Sequence, residues 1–168
     1  CGGVDRRGLR KPLIVFTPKR MLRHPKAVST IEDLTSGGFQ RVLPDTGSGD
    51  AEQVKRVNLC WGQLYYDLNA AREERKIGNI AIIRVEQMYP FPTQGILEQL
   101  ERYPGAEIAW VQEEPRNMGA WHFFEDRMRM LEKMVKYIGR ADSASTAAGS
   151  LKRHQQEQAD VINGALTI

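Results

Sequence analysis

The sequence predicts an α/β fold: a three-layer domain with a mostly parallel sheet and helices on both of its faces. Short apolar runs alternate with amphipathic segments along the 168 residues, which is typical of βαβ units. The apolar runs are continuous rather than interrupted by polar residues, as strands covered on both faces usually are. Right-handed crossovers between parallel strands then place helices on both sides of the sheet.

The first third of the chain predicts short elements. The run "PLIVF" at 12–16 predicts a buried strand. Thr17 and Pro18 follow as a hydroxyl cap and an early proline, which favour a helix start. The short helix "PKRMLR" ends before Pro25, because a residue that precedes proline disfavours helix. The next segments are a second short helix in "TIEDLTSGG", a strand in "FQRVLPD" and a polar loop in "TGSGDAEQ".

The remaining two thirds predict four strands and four amphipathic helices whose apolar residues recur at helical spacing. Gly62 opens the first of these helices, and Thr93 is the predicted cap of the second. The strands are expected at 54–61, 80–86, 106–112 and 136–140, and the helices at 62–76, 93–103, 119–135 and 150–166.

Composition narrows the class of protein. The hydrophobic fraction of 41% is ordinary for a globular protein, and a net charge of +3 is too small to indicate a nucleic-acid-binding protein. No apolar run reaches membrane-spanning length. Cys1 and Cys60 have neither a disulfide framework nor metal-ligand spacing, so two free thiols in a reducing compartment are expected. No pair among the three histidines has ligand spacing either: His24, His122 and His154.

The stretch "VQEEPRNMGAW" at 111–121 combines two carboxylates with turn residues at the end of a strand. Glu113 and Glu114 are candidates for general acid/base groups, since ligands bind at strand ends in open α/β sheets. Successive strand residues point to opposite sides, however, so the two carboxylates need not share a site. We interpret the stretch as a strand-to-helix corner at a domain or subunit interface. Glu113 is predicted to be the more important carboxylate and to pair with a cation or with backbone donors. The interface or channel candidates are Glu113, Glu114, Asn117, Gly119 and Trp121.

A basic segment, "TPKRMLRHPKAV", follows the first predicted strand. Cations next to a helix N-terminus are a plausible site for an anion, and a solvated or subunit-contact face is the alternative. Arg140, beside a loop rich in hydroxyls, is a weaker candidate for the same role. The candidates for binding an anion or an effector are Lys19, Arg20, Arg23, His24, Lys26 and Arg140.

Several catalytic signatures are absent from the sequence. There is no Walker-type phosphate loop, no GxGxxG and no GxSxG. The "SGDA" tetrapeptide is not followed by the paired asparagines of a thiamine diphosphate motif. A stand-alone enzyme is therefore difficult to assemble from these residues.

Five motifs occur in a fixed order: "RKPLIVFTPKRMLRHPKAVS" (10–29), "LYYDL" (64–68), "AIIRVEQMYPFP" (81–92), "WVQEEPRNMGAW" (110–121) and "YIGRADSAS" (137–145). Together they resemble the C-terminal, transketolase-C-like domain of the first, decarboxylating component of 2-oxoglutarate dehydrogenase. The related 2-oxoadipate dehydrogenases are similar, but "VQEEPRNMGAW" fits the 2-oxoglutarate branch better.

The resemblance implies a thiamine-diphosphate enzyme of the tricarboxylic acid cycle with three α/β domains. Thiamine diphosphate, magnesium and most catalytic groups would be held by two preceding domains, and no cofactor by this chain alone. Residues 10–168 would be the last domain, after a non-matching tail at 1–9. The implied partners are the upstream domains, a second copy in a homodimer, a lipoyl-bearing succinyltransferase and a nucleotide or acyl-CoA effector, with no nucleic acid and no membrane. The expected compartment is the cytoplasm in a bacterium or the mitochondrial matrix in a eukaryote.

Two features depart from the family pattern. Trp61, between Cys60 and Gly62, stands where the family usually has a small hydroxyl residue, and its bulk is expected to alter packing at that corner. The opening residues do not match and begin without Met, as expected of a piece of a longer chain.

The leading hypothesis is a catalytically incomplete domain that supports dimer assembly, access to the active site and effector binding. The alternative is a free-standing regulatory module that binds an anion or nucleotide. A third reading is a self-contained enzyme that uses Glu113 and His122. An interface exposed in the isolated chain predicts self-association.

Overall fold

The computed structural model describes residues 3–4, 10–12, 14 and 17–168 of the chain. The chain divides into two compact units, Cys1–Gly37 and Gly38–Ile168. The strand predicted at 12–16 lies largely outside the described residues. The predicted division into a tail at 1–9 and a domain at 10–168 stays a prediction, because residues 5–9 also lie outside them.

The described residues of the first unit form four short elements. Strands β1 (Gly3–Val4) and β2 (Arg10–Lys11) pair antiparallel. A 3-10 turn at Lys19–Arg23 replaces the helix predicted there, and it is preceded by Pro18 with no side-chain cap. Helix α1 (Ile31–Thr35) follows.

A capping box begins helix α1. The Thr30 hydroxyl accepts a hydrogen bond from the Asp33 backbone N–H at 3.1 Å, and the Asp33 carboxylate accepts one from the Thr30 N–H at 2.9 Å. Each side chain thereby satisfies a backbone donor that the helix itself leaves open. The backbone and hydroxyl hydrogen bonds from Thr30 lower the pKa of Asp33.

The second unit is built on a five-stranded sheet with the order β3-β5-β4-β6-β7. Its strands are β3 (Val42–Leu43), β4 (Arg56–Cys60), β5 (Ile80–Val85), β6 (Glu107–Pro115) and β7 (Lys136–Arg140). Strand β3 pairs antiparallel with β5, and the other neighbours are parallel. The mostly parallel sheet is therefore confirmed.

Four helices cover this sheet: α2 (Leu64–Glu74), α3 (Thr93–Leu100), α4 (Trp121–Met130) and α5 (Leu151–Leu166). Thr93 is the first residue of α3 rather than its cap, since Pro92 precedes it and no side chain caps the helix. Ser150 caps α5 by accepting from the Arg153 N–H. In the part of the chain that the structure describes, no helix is long and apolar enough to cross a membrane.

Two apolar cores lie on opposite faces of the sheet. Alternate strand residues such as Leu59 and Trp110 pack with α3 and α4, whereas their neighbours Cys60 and Val111 pack with α2 and α5. Successive strand residues point to opposite faces, so each strand contributes to both cores. The prediction that helices cover both faces of the sheet is therefore confirmed.

Two buried polar groups on β4 bind the carboxyl end of α5. The Arg56 guanidinium donates to the carbonyls of Gly164 at 3.2 Å and Thr167 at 2.6 Å, and the Asn58 amide donates to Ala165 O at 2.8 Å. A helix leaves its last carbonyls without partners and carries partial negative charge at this end. The central strand therefore fixes the position of α5.

Arg56 also pairs with Glu107 at the start of β6. Burial favours a raised pKa for Glu107, but the hydrogen bonds from Arg56 and Lys136 outweigh it and lower the pKa.

A second ion pair joins Arg72 of α2 to Asp45 at 2.6 Å, with both side chains buried. Asp45 also accepts from the Ser48 N–H at 2.7 Å, so this pair anchors the loop after β3.

Cys60 gives a pH-dependent prediction. Its thiol is fully buried, and burial raises its pKa from 9.0 to about 12. The neutral thiol therefore stabilises the folded state fully below pH 9.0, and this contribution is lost as the pH rises towards 12. We expect the free energy of unfolding, measured by urea titration from pH 8 to 11, to fall more steeply in the parent chain than in the Cys60→Ala variant. The slopes should differ by at most about 1.4 kcal/mol per pH unit. Parallel slopes would show that the Cys60 thiol does not contribute.

Candidate functional site

The buried amide of Gln112 organises the corner between β6 and α4. Its oxygen accepts from the Trp110 indole N–H at 2.9 Å and from the Trp121 backbone N–H at 3.0 Å. Its nitrogen donates to the carbonyls of Met118 at 2.8 Å and Pro115 at 3.1 Å. One side chain therefore provides hydrogen-bond partners for groups at the end of a strand, in a tight turn and at the start of a helix.

The turn at this corner requires glycine at position 119. Gly119 has a φ of 67°, a conformation that side-chain-bearing residues rarely adopt. A Cβ there would lie 3.1 Å from the Gln112 amide nitrogen and 3.1 Å from the Glu114 carboxylate. Glu114 packs against this turn, and its Oε2 is buried with no hydrogen-bond partner. Glu114 is therefore part of the corner itself.

Trp121 belongs to the core of this chain. It is 1% exposed and packs with residues of α3 and α4. Its ring lies 5.0 Å from that of Tyr137. As an interface or channel candidate, Trp121 therefore has almost no surface to offer within the described residues.

Glu113 points to the other side of the sheet, towards α2 and α5. Its carboxylate accepts from the Gln63 amide at 3.0 Å and from the Gln158 amide at 2.8 Å. The Gln158 amide also donates to Asp67 at 3.3 Å and accepts from Arg140 at 3.4 Å. We call Gln63, Asp67, Glu113, Arg140 and Gln158 the carboxyl-edge network, because they gather where β4, β6 and β7 end.

The partners of Glu113 differ from those expected. A cation or backbone donors were predicted, whereas the structure shows two side-chain amides from distant elements. Each carboxylate oxygen of Glu113 accepts one hydrogen bond from these amides, and the side chain is half-buried. A carboxylate oxygen has two acceptor sites, so Glu113 is held in place and still able to accept from an incoming donor.

Arg140 is held by α5. Its Nη2 donates to His154 Nδ1 at 3.0 Å, and its Nε lies 3.5 Å from the Glu157 carboxylate. The side chain is 9% exposed, and its Nε is buried with no hydrogen-bond partner. The hydrogen bond from Arg153 to Glu157 lowers the pKa of Glu157. Arg140 is thus a largely buried cation with an anionic neighbour.

A cavity of about 760 Å³ lies beside Arg140, between β7, α5 and the loop at 141–149. Asn117 fixes this loop by donating to Ser143 O at 2.9 Å and accepting from the Ser143 N–H at 3.0 Å. The corner of β6 and the hydroxyl-rich loop are therefore joined at the carboxyl edge of the sheet. Open α/β sheets bind ligands at this edge.

Tyr137 lines the same cavity. Its hydroxyl donates to Arg140 O at 2.8 Å, and burial raises its pKa to about 12. Gly139 is required there, since a Cβ would lie 2.4 Å from the Tyr137 hydroxyl oxygen. The end of β7 is packed too tightly for a larger residue.

The basic segment at 19–26 belongs to the first unit. Lys19, Arg20 and Arg23 lie on the 3-10 turn and are exposed, as is Lys26, while His24 is half-buried. The turn is too short to provide the helix N-terminus that the sequence interpretation assumed. These residues and Arg140 lie in different units, and their role as anion-binding residues stays a prediction.

The structure does not join Glu113 to His122. Glu113 faces α2 and α5, whereas His122 is exposed on α4, which packs on the opposite face. Within the described residues, no cluster of three His, Cys, Asp or Glu side chains could hold a metal ion. At the carboxyl edge, the carboxylates of Glu113 and Asp67 both accept from the Gln158 amide, and neither belongs to such a cluster.

Sequence reasoning missed three glutamines. Gln112 directly follows the apolar run "AEIAWV" and ends the predicted strand, and a polar residue in a buried strand indicates a buried hydrogen-bond network. This signal was available in the sequence. No local pattern in the sequence indicated the contacts of Gln63 and Gln158 with Glu113, because these residues lie 50 and 45 positions from Glu113 in the chain.

Comparisons with known proteins agree on one family. Residues 28–166 match the family model described as "2-oxoglutarate dehydrogenase C-terminal". The mitochondrial 2-oxoglutarate dehydrogenase of Caenorhabditis elegans is 46% identical over 162 residues, which cover 92% of this chain and 16% of that protein. The 2-oxoglutarate dehydrogenase E1 component of Cupriavidus necator is 44% identical over 161 residues, which cover 93% of this chain and 17% of that protein. The chain therefore spans about a sixth of the length of these relatives.

A solved structure has a similar fold. Its title is "Split gene transketolase, inactive beta4 tetramer", and the TM-score is 0.51 at 12% sequence identity. The likeness covers 76% of this chain and 42% of that one. The predicted transketolase-like α/β fold is confirmed.

The corner gives a stability prediction. In the Gln112→Met variant, Trp110 Nε1, the Trp121 N–H and buried carbonyls lose their partner, and leaving such groups unsatisfied is costly. We expect a loss of about 3 kcal/mol in the free energy of unfolding, measured by urea titration. The matched control is Gln94→Met, since Gln94 is exposed on α3; its effect should be below about 0.5 kcal/mol. Equal losses in the two variants would contradict the role of Gln112.

Proposed function

This chain belongs to the 2-oxoglutarate dehydrogenase C-terminal family, and we propose that it is the last α/β domain of an enzyme that oxidatively decarboxylates 2-oxoglutarate and transfers the succinyl group to lipoamide. The match over residues 28–166 is the observation that carries this proposal. Because the chain spans about a sixth of its relatives, most of the enzyme lies outside it. The chain is then a catalytically incomplete part of that enzyme.

The decarboxylation chemistry of such an enzyme comes from thiamine diphosphate and magnesium. We place both in the domains that precede this one. This placement is supported by the sequence, in which "SGDA" is not followed by the paired asparagines of a thiamine diphosphate motif. None of the residues of this chain is therefore assigned a step in the decarboxylation.

The role proposed for this domain is to shape the route to the active site. The carboxyl edge of the sheet supports it, because Glu113 is oriented there by two amides and remains half-buried. Asn117 and Gly119 hold the neighbouring turn and loop in place. Glu113 would position the incoming lipoyl arm or an adjacent domain by accepting a hydrogen bond.

The proposed partners follow from the family. They are the upstream domains, a second copy in a homodimer and the lipoyl-bearing succinyltransferase. The relatives include a mitochondrial protein and bacterial E1 components, so we propose the mitochondrial matrix or the bacterial cytoplasm as the compartment, according to the source.

We further propose that the basic segment at 19–26 binds a nucleotide or an acyl-CoA effector. The exposed cations on the 3-10 turn support this, since phosphate groups bind Lys and Arg.

Activity of the complete polypeptide tests the function. We expect the chain joined to its upstream sequence to release CO₂ from 2-oxoglutarate when thiamine diphosphate and magnesium are supplied, and the isolated chain to release none. Glu113→Gln keeps the shape of the side chain but removes its charge, so we expect about a tenfold lower kcat/KM towards lipoylated succinyltransferase, equivalent to about 1.4 kcal/mol.

The matched control for this test is Glu125→Gln, because Glu125 is exposed on α4, away from the carboxyl edge. It should leave kcat/KM unchanged. Release of CO₂ by the isolated chain would contradict the proposed division of labour. If Glu113→Gln left kcat/KM and dimerisation unchanged, the proposed role of Glu113 would be refuted, but the proposed function of the enzyme would not.

Calorimetry tests the effector site. We expect AMP, acetyl-CoA or phosphate to bind with a micromolar Kd, a free energy of about −8 kcal/mol. Lys19→Gln and Arg23→Gln should weaken binding, whereas Lys133→Gln, which changes an exposed cation elsewhere, should not. Absence of binding heat from all three ligands would refute the proposal.

A further inference from the structure

The segment at 22–34 exposes most of its large apolar side chains. Leu22 is 71% exposed, Val28 75%, Ile31 80% and Leu34 77%. A folded monomer usually leaves large apolar groups exposed singly rather than grouped. Four such residues within 13 positions therefore indicate a surface that another protein segment covers.

The local structure of this segment does not bury these residues. Neither the 3-10 turn nor helix α1 contains a buried residue. Ile31 and Leu34 are three positions apart, so they lie on one face of α1. The capping box of Thr30 and Asp33 holds the first turn, but a helix of this length is marginal in water without tertiary packing. The helix is formed locally and presents an apolar face that the described residues of its own unit do not bury.

From this we infer that the apolar face of the 22–34 segment docks onto the part of the same polypeptide that precedes it in the sequence. This inference rests on the proposed function. The relatives are about six times longer than the matched region, and the matched family is named for the C-terminal part of the enzyme. The rest of such a polypeptide would therefore precede this chain in sequence, close in sequence to the exposed segment.

The charges next to the apolar face define the docking partner further. Lys19 and Arg23, both exposed, lie close to Leu22 in sequence. Glu32 and Asp33, in the first turn of α1, are exposed acidic groups next to Ile31 and Leu34. The complementary surface is therefore apolar, with groups of both charges at its edge.

A second copy of this chain is the other candidate occupant. At an isologous contact the same surface faces itself, so the apolar residues of the segment would have to fit one another. The length of chain that precedes the matched region in the relatives favours the preceding part of the polypeptide instead.

Cysteine footprinting of the complete polypeptide tests this inference. Leu34→Cys is introduced into the complete polypeptide, and Ile31→Cys serves as a second probe. Met134→Cys is the matched control, since Met134 is 91% exposed but lies outside the segment. Labelling by a maleimide is followed by peptide mass spectrometry, which separates these positions from Cys1. The protection factor is the labelling rate in urea divided by the rate in buffer.

We expect the protection factors of Leu34→Cys and Ile31→Cys to exceed that of Met134→Cys at least tenfold. Equal factors at all three positions would overturn the docking inference. Protection that also appears in the isolated chain, and grows with its concentration, would assign the face to a second copy and would equally overturn it.

Release of CO₂ from 2-oxoglutarate, measured on the same samples, keeps the two proposals separate. Protection of the segment in a polypeptide without this activity would support docking and count against the proposed function. Activity without protection would support the function and refute docking.

Discussion

The carboxyl edge of this domain depends on one buried amide. Gln112 binds two indole-bearing residues through its oxygen and the carbonyls of the following turn through its nitrogen. An amide suits this position because it is both donor and acceptor, and the corner contains N–H groups and carbonyls that both need a hydrogen-bond partner. With Gln112 fixed, Glu113 must face the opposite side of the sheet, where α2 and α5 lie. The orientation of the candidate carboxylate is thus a consequence of how its neighbour is buried.

The second support of this edge comes from the far end of α5. Arg56 and Asn58 on the central strand bind the last carbonyls of that helix, and this contact sets where its earlier residues fall. Gln158 then reaches both Glu113 and Asp67, while Glu157 and His154 contact Arg140. Buried polar groups at one end of the sheet therefore help to position polar groups at the other. Trp61, the unusual residue of the "CWG" corner, packs on Trp110 at a centroid distance of 6.2 Å, so its bulk is absorbed by the core beside Gln112.

Most of the second unit could be predicted from the sequence, because its strands and helices are long or strongly patterned. The run "NIAIIRV" predicted β5 almost to the residue, since five apolar residues between a turn and a charged segment favour a buried strand. Short elements were predicted less well. The helix expected after Pro18 is a 3-10 turn, and the cap expected at Thr93 is absent. Caps and single turns are decided by small differences in backbone geometry, which residue preferences describe poorly.

The sequence by itself determined the layered α/β fold, the two-sided burial of its strands and the family, because hydrophobic pattern and motif order are properties of consecutive residues. It also indicated that Glu113 and Glu114 need not share a site, since neighbouring strand residues point apart. Only the tertiary structure decided what each of them contacts. Gln63 and Gln158 lie 50 and 45 residues from Glu113 in the chain, and they meet it only because parallel strands end at the same edge and α5 returns across them. The pairing of a carboxylate with two distant amides is set by packing between helices and sheet, and no local pattern encodes it.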